Sequence, residues 1–391
     1  MRKSQLLVSL VAIVLPILCS PSFAETKEQR HALIFAEIQK ISSTPKQRAT
    51  PELIKLLEAG AAAGDGRVQA VLGTYYEKGD GVKLNLQEAI KLYRSAAELG
   101  DSVGQANLGR IYSLGIGAPH DEVEAAQWFR KAANQGHLTA ITELAKKYMN
   151  GLGVSRDLST AVSLFQQAAE RNDPAAQLNL AFMYNDGIGV KKNPEEAFVW
   201  FRRAAEQNYL QAQSVLGIAL IRDKVASNYP EALKWLHEAA RQDDVPALLM
   251  LGLVYQGGHF GVKKDYSAAI KWYEKAKIQG SHVAEYELGR MYENGLGVER
   301  NEKRAYFYYA DAAYHYKPAA ARLTAMNKII DAENAQSTQE TVKSGCQRVY
   351  ETEPASFVTN VCDYNNLGPT NCRDVSQLGT KEVARTVCNA H

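Results

Sequence analysis

Three short patterns hold the residue types of a serine nucleophile and its helpers. They are Ser43-x-x-Lys46, Tyr292-x-Asn294 and Lys343-Ser344-Gly345. Together they could serve acyl transfer, in which an activated hydroxyl attacks a carbonyl carbon. That chemistry needs the serine at the start of a helix beside a sheet edge. Pro45 interrupts the first pattern and no strand-rich segment surrounds any of them, so we predict that the protein is not an enzyme.

The same fragments resemble parts of penicillin-recognising serine enzymes. They leave open one alternative function, a cell-wall-active protein that binds peptidoglycan or penicillin or acts as a β-lactamase-like hydrolase.

The sequence contains no residue pattern typical of a metal or cofactor site. The eight histidines show no ligand spacing, and the sequence contains no Cys-x-x-Cys pair. Gly-x-Gly recurs regularly and follows predicted helices rather than strands, which favours a turn over a phosphate-binding loop. We therefore predict no metal and no cofactor.

Four cysteines are confined to the last 46 residues and are predicted to form disulfides: Cys346, Cys362, Cys372 and Cys388. They are separated by fifteen, nine and fifteen residues. Nested pairing in a helical hairpin and sequential pairing both suit this spacing. This tail could cap the end of the preceding domain or form a separate recognition element.

The N-terminus predicts export. Arg2 and Lys3 precede an apolar run from Leu6 to Leu18, and Ser22-Phe23-Ala24 is a small-x-Ala cleavage site. The apolar run is shorter than the roughly 20 residues that span a bilayer, which disfavours a retained anchor. We expect cleavage after Ala24 and a periplasmic or secreted protein.

The mature chain would carry 43 basic and 43 acidic residues. Formal neutrality argues against a nucleic-acid partner, and no other apolar stretch approaches membrane-spanning length. We expect a protein or peptide partner; the sequence does not indicate the oligomeric state.

A leucine followed by a small residue recurs with spacings of 36, 36, 36, 36, 35 and 37, at Leu72, Leu108, Leu144, Leu180, Leu216, Leu251 and Leu288. These leucines define repeats 1 to 7. Regular self-similarity of this length is typical of a solenoid.

Each repeat contains two helical patterns joined by a turn. The first helix carries the leucine; the second carries an alanine, then an aromatic or leucine pair three and four residues later, as in Ala125-x-x-Trp128-Phe129. Two glycines around one residue predict a tight reversal between them. An Asn or Asp often precedes the second helix as an N-cap, at Asn85, Asp157, Asn193, Asp265 and Asn301.

These motifs resemble the Sel-one-like repeat (SLR), a subfamily of the tetratricopeptide repeats, over about Arg67 to Pro318. The resemblance implies a right-handed α-solenoid whose first helices line a concave surface, and a role as an adaptor or scaffold. Bacterial relatives are often exported and linked to envelope assembly or host interaction. Repeats 5 and 6 depart from the pattern in their turns, either as tolerated loop variation or as a contact site.

The predicted fold is all-α, with about seven repeats and a small disulfide-bonded tail. The expected divisions are a signal peptide (1–24), a helical lead-in (25–65), the solenoid (66–330) and a Cys-rich tail (331–391). Within the solenoid, positions two and five residues after each leucine point away from the buried stripe.

Those positions predict a partner-binding groove with an apolar centre and cationic ends, formed by Arg110, Lys146, Phe182, Asn185, Ile218, Ile221, Leu253 and Arg290. The apolar centre would accept a peptide or protein segment. The alternative is that superhelical twist tucks these side chains against the next repeat.

Overall fold

The computed structural model describes residues 29, 31–34, 36, 49–343, 346–353, 361–362, 372–373 and 381–388. The predicted fold class is confirmed: the chain forms an all-α solenoid of about seven helix pairs. It divides into two compact units, residues 1–247 and 248–391. The predicted signal peptide lies outside the described residues.

Residues 29, 31–34 and 36 are helical, and the labelled elements follow them. The helices are α1 (Pro51–Ala62), α2 (Gly66–Lys78), α3 (Leu86–Glu98), α4 (Ser102–Leu114), α5 (Glu122–Asn134), α6 (Leu138–Asn150), α7 (Leu158–Glu170), α8 (Pro174–Asp186), α9 (Pro194–Glu206), α10 (Leu210–Arg222), α11 (Tyr229–Arg241), α12 (Val245–Gly257), α13 (Tyr266–Ile278), α14 (His282–Asn294), α15 (Glu302–Ala313) and α16 (Lys317–Lys343). The strands are β1 (Cys346–Glu353), β2 (Val361–Cys362), β3 (Cys372–Arg373) and β4 (Lys381–Cys388).

Successive helices pack in chain order within each unit. In the first unit, each helix from α1 to α10 contacts the helix that follows it. In the second unit, the same is true of each helix from α13 to α15. All seven repeat leucines are buried. In the first unit, the leucine of each first helix and an aromatic side chain of each second helix are buried.

Local signals place the helix ends where the sequence predicts them. Gly115 ends α4 in the left-handed conformation, at φ 65°, and the other regular turns do the same. All five predicted N-caps accept a backbone N–H of their helix. In repeat 5, where the glycines are missing, Lys224 takes the positive φ and a short 3-10 turn, Ala226–Asn228, precedes α11.

The C-terminal part differs from the sequence interpretation in two ways. The last helix, α16, continues to Lys343, beyond residue 331, where the tail was expected to begin. The described tail residues form strands and not the helical hairpin that was one alternative: β1 pairs antiparallel with β4, and β2 with β3. Its disulfides stay a prediction.

Buried glutamines connect second helices to the first helices that follow them. Gln105, Gln177 and Gln213 each donate to a carbonyl eight residues earlier, near the end of the preceding second helix, at 3.0–3.3 Å. Such carbonyls lack helical partners. The oxygen of each glutamine accepts from a second glutamine, Gln135, Gln207 or Gln242, at the end of the repeat's own second helix.

Repeat 1 lacks the second glutamine of this pair. Gln69 donates to Ala61 at 3.0 Å, but its Oε1 is buried without a partner. Leu99, 58% exposed, occupies the C-cap position that Gln135 holds in repeat 2. The unpaired oxygen thus follows from one substitution in the repeat pattern.

Leu99→Gln should therefore stabilise repeat 1 by about 1 kcal/mol, because it supplies the missing donor to a buried acceptor. Hydrogen exchange of the α2 and α3 amides should slow accordingly. Leu84→Gln is the matched control, since Leu84 is 57% exposed and stands at no glutamine pair. Equal effects of the two substitutions would contradict this assignment.

Candidate partner-binding site

The first helix of each repeat lies very close to the second. A Cβ placed at Gly109, directly after the repeat leucine, would lie 2.8 Å from the Phe129 ring. Gly73, Gly252 and Gly289 meet tyrosine rings in the same way. This close approach buries the ring between the two helices of the repeat.

Where the buried ring is a tyrosine, its hydroxyl has a fixed partner. Tyr93 donates to Glu77 at 2.8 Å, Tyr273 to Gln256 at 2.7 Å and Tyr309 to Glu293 at 2.6 Å. Burial is the main cause that raises the pKa of all three hydroxyls, so they stay protonated donors. Each acceptor stands five residues after its repeat leucine.

The position five residues after the repeat leucine therefore has a structural role in repeats 1, 6 and 7. Repeats 2 to 5 have a phenylalanine or leucine in place of the tyrosine, and there the position holds Ser113, Met149, Asn185 and Ile221. Ile221 is 6% exposed, which corrects the expectation that it faces a groove. Asn185 is half-buried and donates to Asp186 at 2.6 Å.

The three predicted cations are all paired with carboxylates. Arg110 donates to both oxygens of Glu77, at 2.8 and 2.7 Å. Lys146 contacts Glu143 at 2.6 Å. In the second unit, Arg290 contacts Glu287 at 3.0 Å. Each of the three positive charges is thus offset by one carboxylate.

Two predicted apolar residues are exposed, one in each unit. Phe182 is 37% exposed and meets Phe201 edge to face, with 5.2 Å between ring centroids. Ile218 is half-buried. Leu253 is 46% exposed and belongs to the second unit, so a strip that includes both Phe182 and Leu253 stays a prediction.

A pocket of about 360 Å³ lies along α4 and α6 in the first unit. Ala106 and Phe129, both buried, line it, while Val103 and Leu114 are exposed, by 37% and 61%. Its polar lining is Asn107, Arg110, Ser113, His137, Thr139 and Glu143. The pocket therefore combines four apolar side chains with six polar ones.

His137 is both a pocket residue and the N-cap of α6. Its Nδ1 accepts the Ala140 N–H at 3.3 Å, which requires the neutral ring. Burial is the main cause that lowers the pKa of His137. The pocket is thus uncharged at this position at neutral pH.

Beside the pocket, Ser113 accepts a hydrogen bond from the buried lysine of an ion pair. Lys147, 4% exposed, donates to Ser113 and to the Glu122 carboxylate. His120 contacts the other Glu122 oxygen at 3.3 Å. This cluster joins α4, α5 and α6.

The structure does not bring the serine-enzyme patterns together among the residues it describes. Tyr292 is buried and stacked on Tyr308, and Asn294 donates to the Arg290 carbonyl at 2.8 Å. Ser43, Lys46 and Ser344 lie outside the described residues. Across the described chain, no three His, Cys, Asp or Glu side chains cluster as a metal site would require.

The sequence interpretation missed Val103, Asn107 and Leu114. Val103 lies five residues before the leucine of repeat 2, Asn107 lies one residue before it, and Leu114 lies six residues after it. The repeat alignment does contain a signal, since Leu114 is the one large apolar residue at its position; the others are Lys78, Asn150, Asp186, Arg222, Gly257 and Asn294.

Consecutive helix pairs, with a pocket along two of the first helices, define an α-solenoid scaffold. Seven segments match the Sel1 repeat: 67–101, 102–137, 139–173, 174–209, 211–244, 245–281 and 282–317. The chain belongs to the Sel1 repeat family, whose fold is a protein–protein interaction scaffold.

Several solved structures are similar to this chain, among them proteins of Escherichia coli and Oxalobacter formigenes. A protective antigen of uropathogenic Escherichia coli with an SLR fold is 28% identical, with coverage of 76% of this chain and 72% of that one and a TM-score of 0.52. A Sel1 repeat protein of Oxalobacter formigenes is 29% identical, with coverage of 62% and 96% and a TM-score of 0.55. No curated protein matches significantly. Among the described helices, none is long and apolar enough to cross a membrane.

Proposed function

We propose that this protein is an exported scaffold that binds an extended segment of a partner protein at the pocket of repeats 2 and 3. The observation that carries the proposal is the buried floor at Phe129 beneath the exposed Val103 and Leu114. A pocket near the lower end of ligand-site volumes suits one apolar side chain and its adjoining backbone. Asn107 and Thr139 offer an amide and a hydroxyl to that backbone.

The charged side chains around the pocket are paired, which supports recognition of an apolar partner segment over recognition of a charged one. Arg110 is neutralised by Glu77, Lys147 by Glu122, and the pocket carboxylate Glu143 by Lys146. Because no fixed charge is left unpaired among these groups, binding should depend on apolar burial and hydrogen bonds. Phe182 and Ile218, both predicted for the groove, would extend this face along the first unit.

The test is selection from a random peptide library on the full chain, followed by affinity measurement at low and high salt. Selected peptides should share a large apolar residue and bind with little salt dependence. Val103→Asp should weaken them at least about tenfold, because it places a charge at the pocket. Val199→Asp is the control, since Val199 is 38% exposed on α9 and lies outside the pocket. Equal losses at the two valines, or strongly salt-dependent binding, would refute the site.

Export is supported by the N-terminal sequence and by the four cysteines of the tail. The likeness to a protective antigen agrees with a role in host interaction or envelope assembly. The exported chain should then begin at Glu25 on N-terminal sequencing; an unprocessed N-terminus would contradict the proposal.

A further inference from the structure

The tail brings its cysteines together in two opposed pairs. In the β1–β4 ladder Cys346 lies opposite Cys388, and in the β2–β3 ladder Cys362 lies opposite Cys372. The outer partners are 21 residues before and after Leu367, and the inner partners are five residues before and after it. The spacing pattern of the sequence thus corresponds to an actual strand register.

Both ladders share this register. Glu353 lies opposite Lys381 at the inner end of the outer ladder, and Val361 lies opposite Arg373 in the inner one. Both pairs are centred on the same residue as the cysteine pairs. One antiparallel hairpin would give both ladders the same centre. Two unrelated strand pairings would share a centre only by chance.

The backbone distances of opposed residues suit disulfides. In antiparallel ladders, directly opposed Cα atoms are about 4.5 or 5.5 Å apart. A disulfide needs a Cα separation of about 4.4–6.8 Å. Both kinds of opposed pair meet this condition.

The alternative pairings would join cysteines of different ladders. Cys346 and Glu353 stand at opposite ends of β1, about 23 Å apart along the strand at about 3.3 Å per residue. A bond from Cys346 to Cys362 or to Cys372 would therefore compete with the register along the whole of β1.

We propose that the tail is closed by two nested disulfides, Cys346–Cys388 and Cys362–Cys372. Each forms by thiol–disulfide exchange: two cysteine thiols reduce one external disulfide, an S–S bond forms in the protein, and the external disulfide leaves as two thiols. The outer bond would join the strand that follows α16 to the last strand of the chain. This assignment is independent of the partner pocket.

Trypsin separates the possible connectivities. Cleavage after Lys343, Arg348, Arg373 and Arg385 puts Cys346 in peptide 344–348, Cys362 and Cys372 together in 349–373, and Cys388 in 386–391. The full chain carrying Cys19→Ser would be oxidised with glutathione disulfide, labelled with N-ethylmaleimide, digested and analysed by mass spectrometry. Nested bonds should join 344–348 to 386–391 and leave 349–373 unlabelled and two hydrogens lighter.

Any species that joins all three peptides would overturn the proposal, because sequential and crossed pairings both require it. Labelled cysteines after oxidation would also overturn it. In the Cys346→Ser variant, the label or a mixed disulfide with glutathione should appear at Cys388 alone, and in Cys362→Ser at Cys372 alone. Label at any other cysteine would show a different connectivity.

Discussion

Gly153→Ala is expected to reduce the unfolding free energy of the first unit by about 3 kcal/mol or more. Gly153 is the second glycine of the turn after α6 and has a φ of 70°. A Cβ there would lie 1.8 Å from the Glu122 carbonyl oxygen at the start of α5. The backbone of one repeat would have to move away from that of the repeat before it.

Gly64→Ala is the matched control for this substitution. Gly64 has a φ of 75°, and a Cβ there would meet nothing within 4 Å. Both variants bear the left-handed backbone penalty, about 1 kcal/mol, so the difference between them measures the contact with Glu122. Urea denaturation of the two variants gives that difference. Equal losses would mean that the turn glycine is needed for its own conformation and not for inter-repeat packing.

Glu122→Gln should cost about 3 kcal/mol, because it leaves the charge of Lys147 buried without its counter-ion. Lys147→Met should cost less, since the Glu122 side chain is 19% exposed and also contacts His120. The double variant Lys147→Met/Glu122→Gln should recover to within about 1 kcal/mol of the wild type. Met183 and Met291 stand at the same repeat position and are buried, so methionine fits there.

The adjacent surface pair supplies the control. Lys146 and Glu143 are each about a third exposed, and Glu143→Gln should change stability by about 0.5 kcal/mol or less. Thermal or urea denaturation of both single variants and the double variant completes the comparison. If Glu122→Gln costs no more than Glu143→Gln, the buried pair contributes nothing specific to the interface beside the pocket.

These two predictions concern the same junction between repeats 2 and 3. Gly153 brings the turn after α6 against the start of α5, where Glu122 receives Lys147. Their effects should therefore not be additive. Because Ser113 contacts Lys147 and also lines the pocket, changes at this junction should weaken peptide binding as well.

The tyrosine partners were readable from sequence in principle. Repeats 1, 6 and 7 have a tyrosine on the second helix and also a Glu or Gln five residues after the leucine. A buried hydroxyl needs an acceptor, and the two positions change together for that reason. Comparing the repeats position by position, rather than reading angles from one isolated helix, would have shown that the position five residues after the leucine has a structural role in these repeats.

The sequence by itself determined the repeat period, the helix pairs, the glycine turns and the Asn and Asp caps. Each of these depends on residues within one turn of a helix, so the chemistry is local. Only the tertiary structure decided which first-helix residues are free to bind. Arg110 meets Glu77 from 33 positions away, and Ile221 is covered although its angle points away from the leucine.

The pocket and the tail follow the same rule. The pocket is lined by Val103 and Leu114 of one repeat and by Thr139 and Glu143 of the next. The pattern within a single helix cannot specify this arrangement. The symmetric spacing of the four cysteines suits a helical or an extended hairpin, and the strand pairing decided between these two folds. Exposure and pairing are properties of neighbours in space, whereas helix ends are properties of neighbours along the chain.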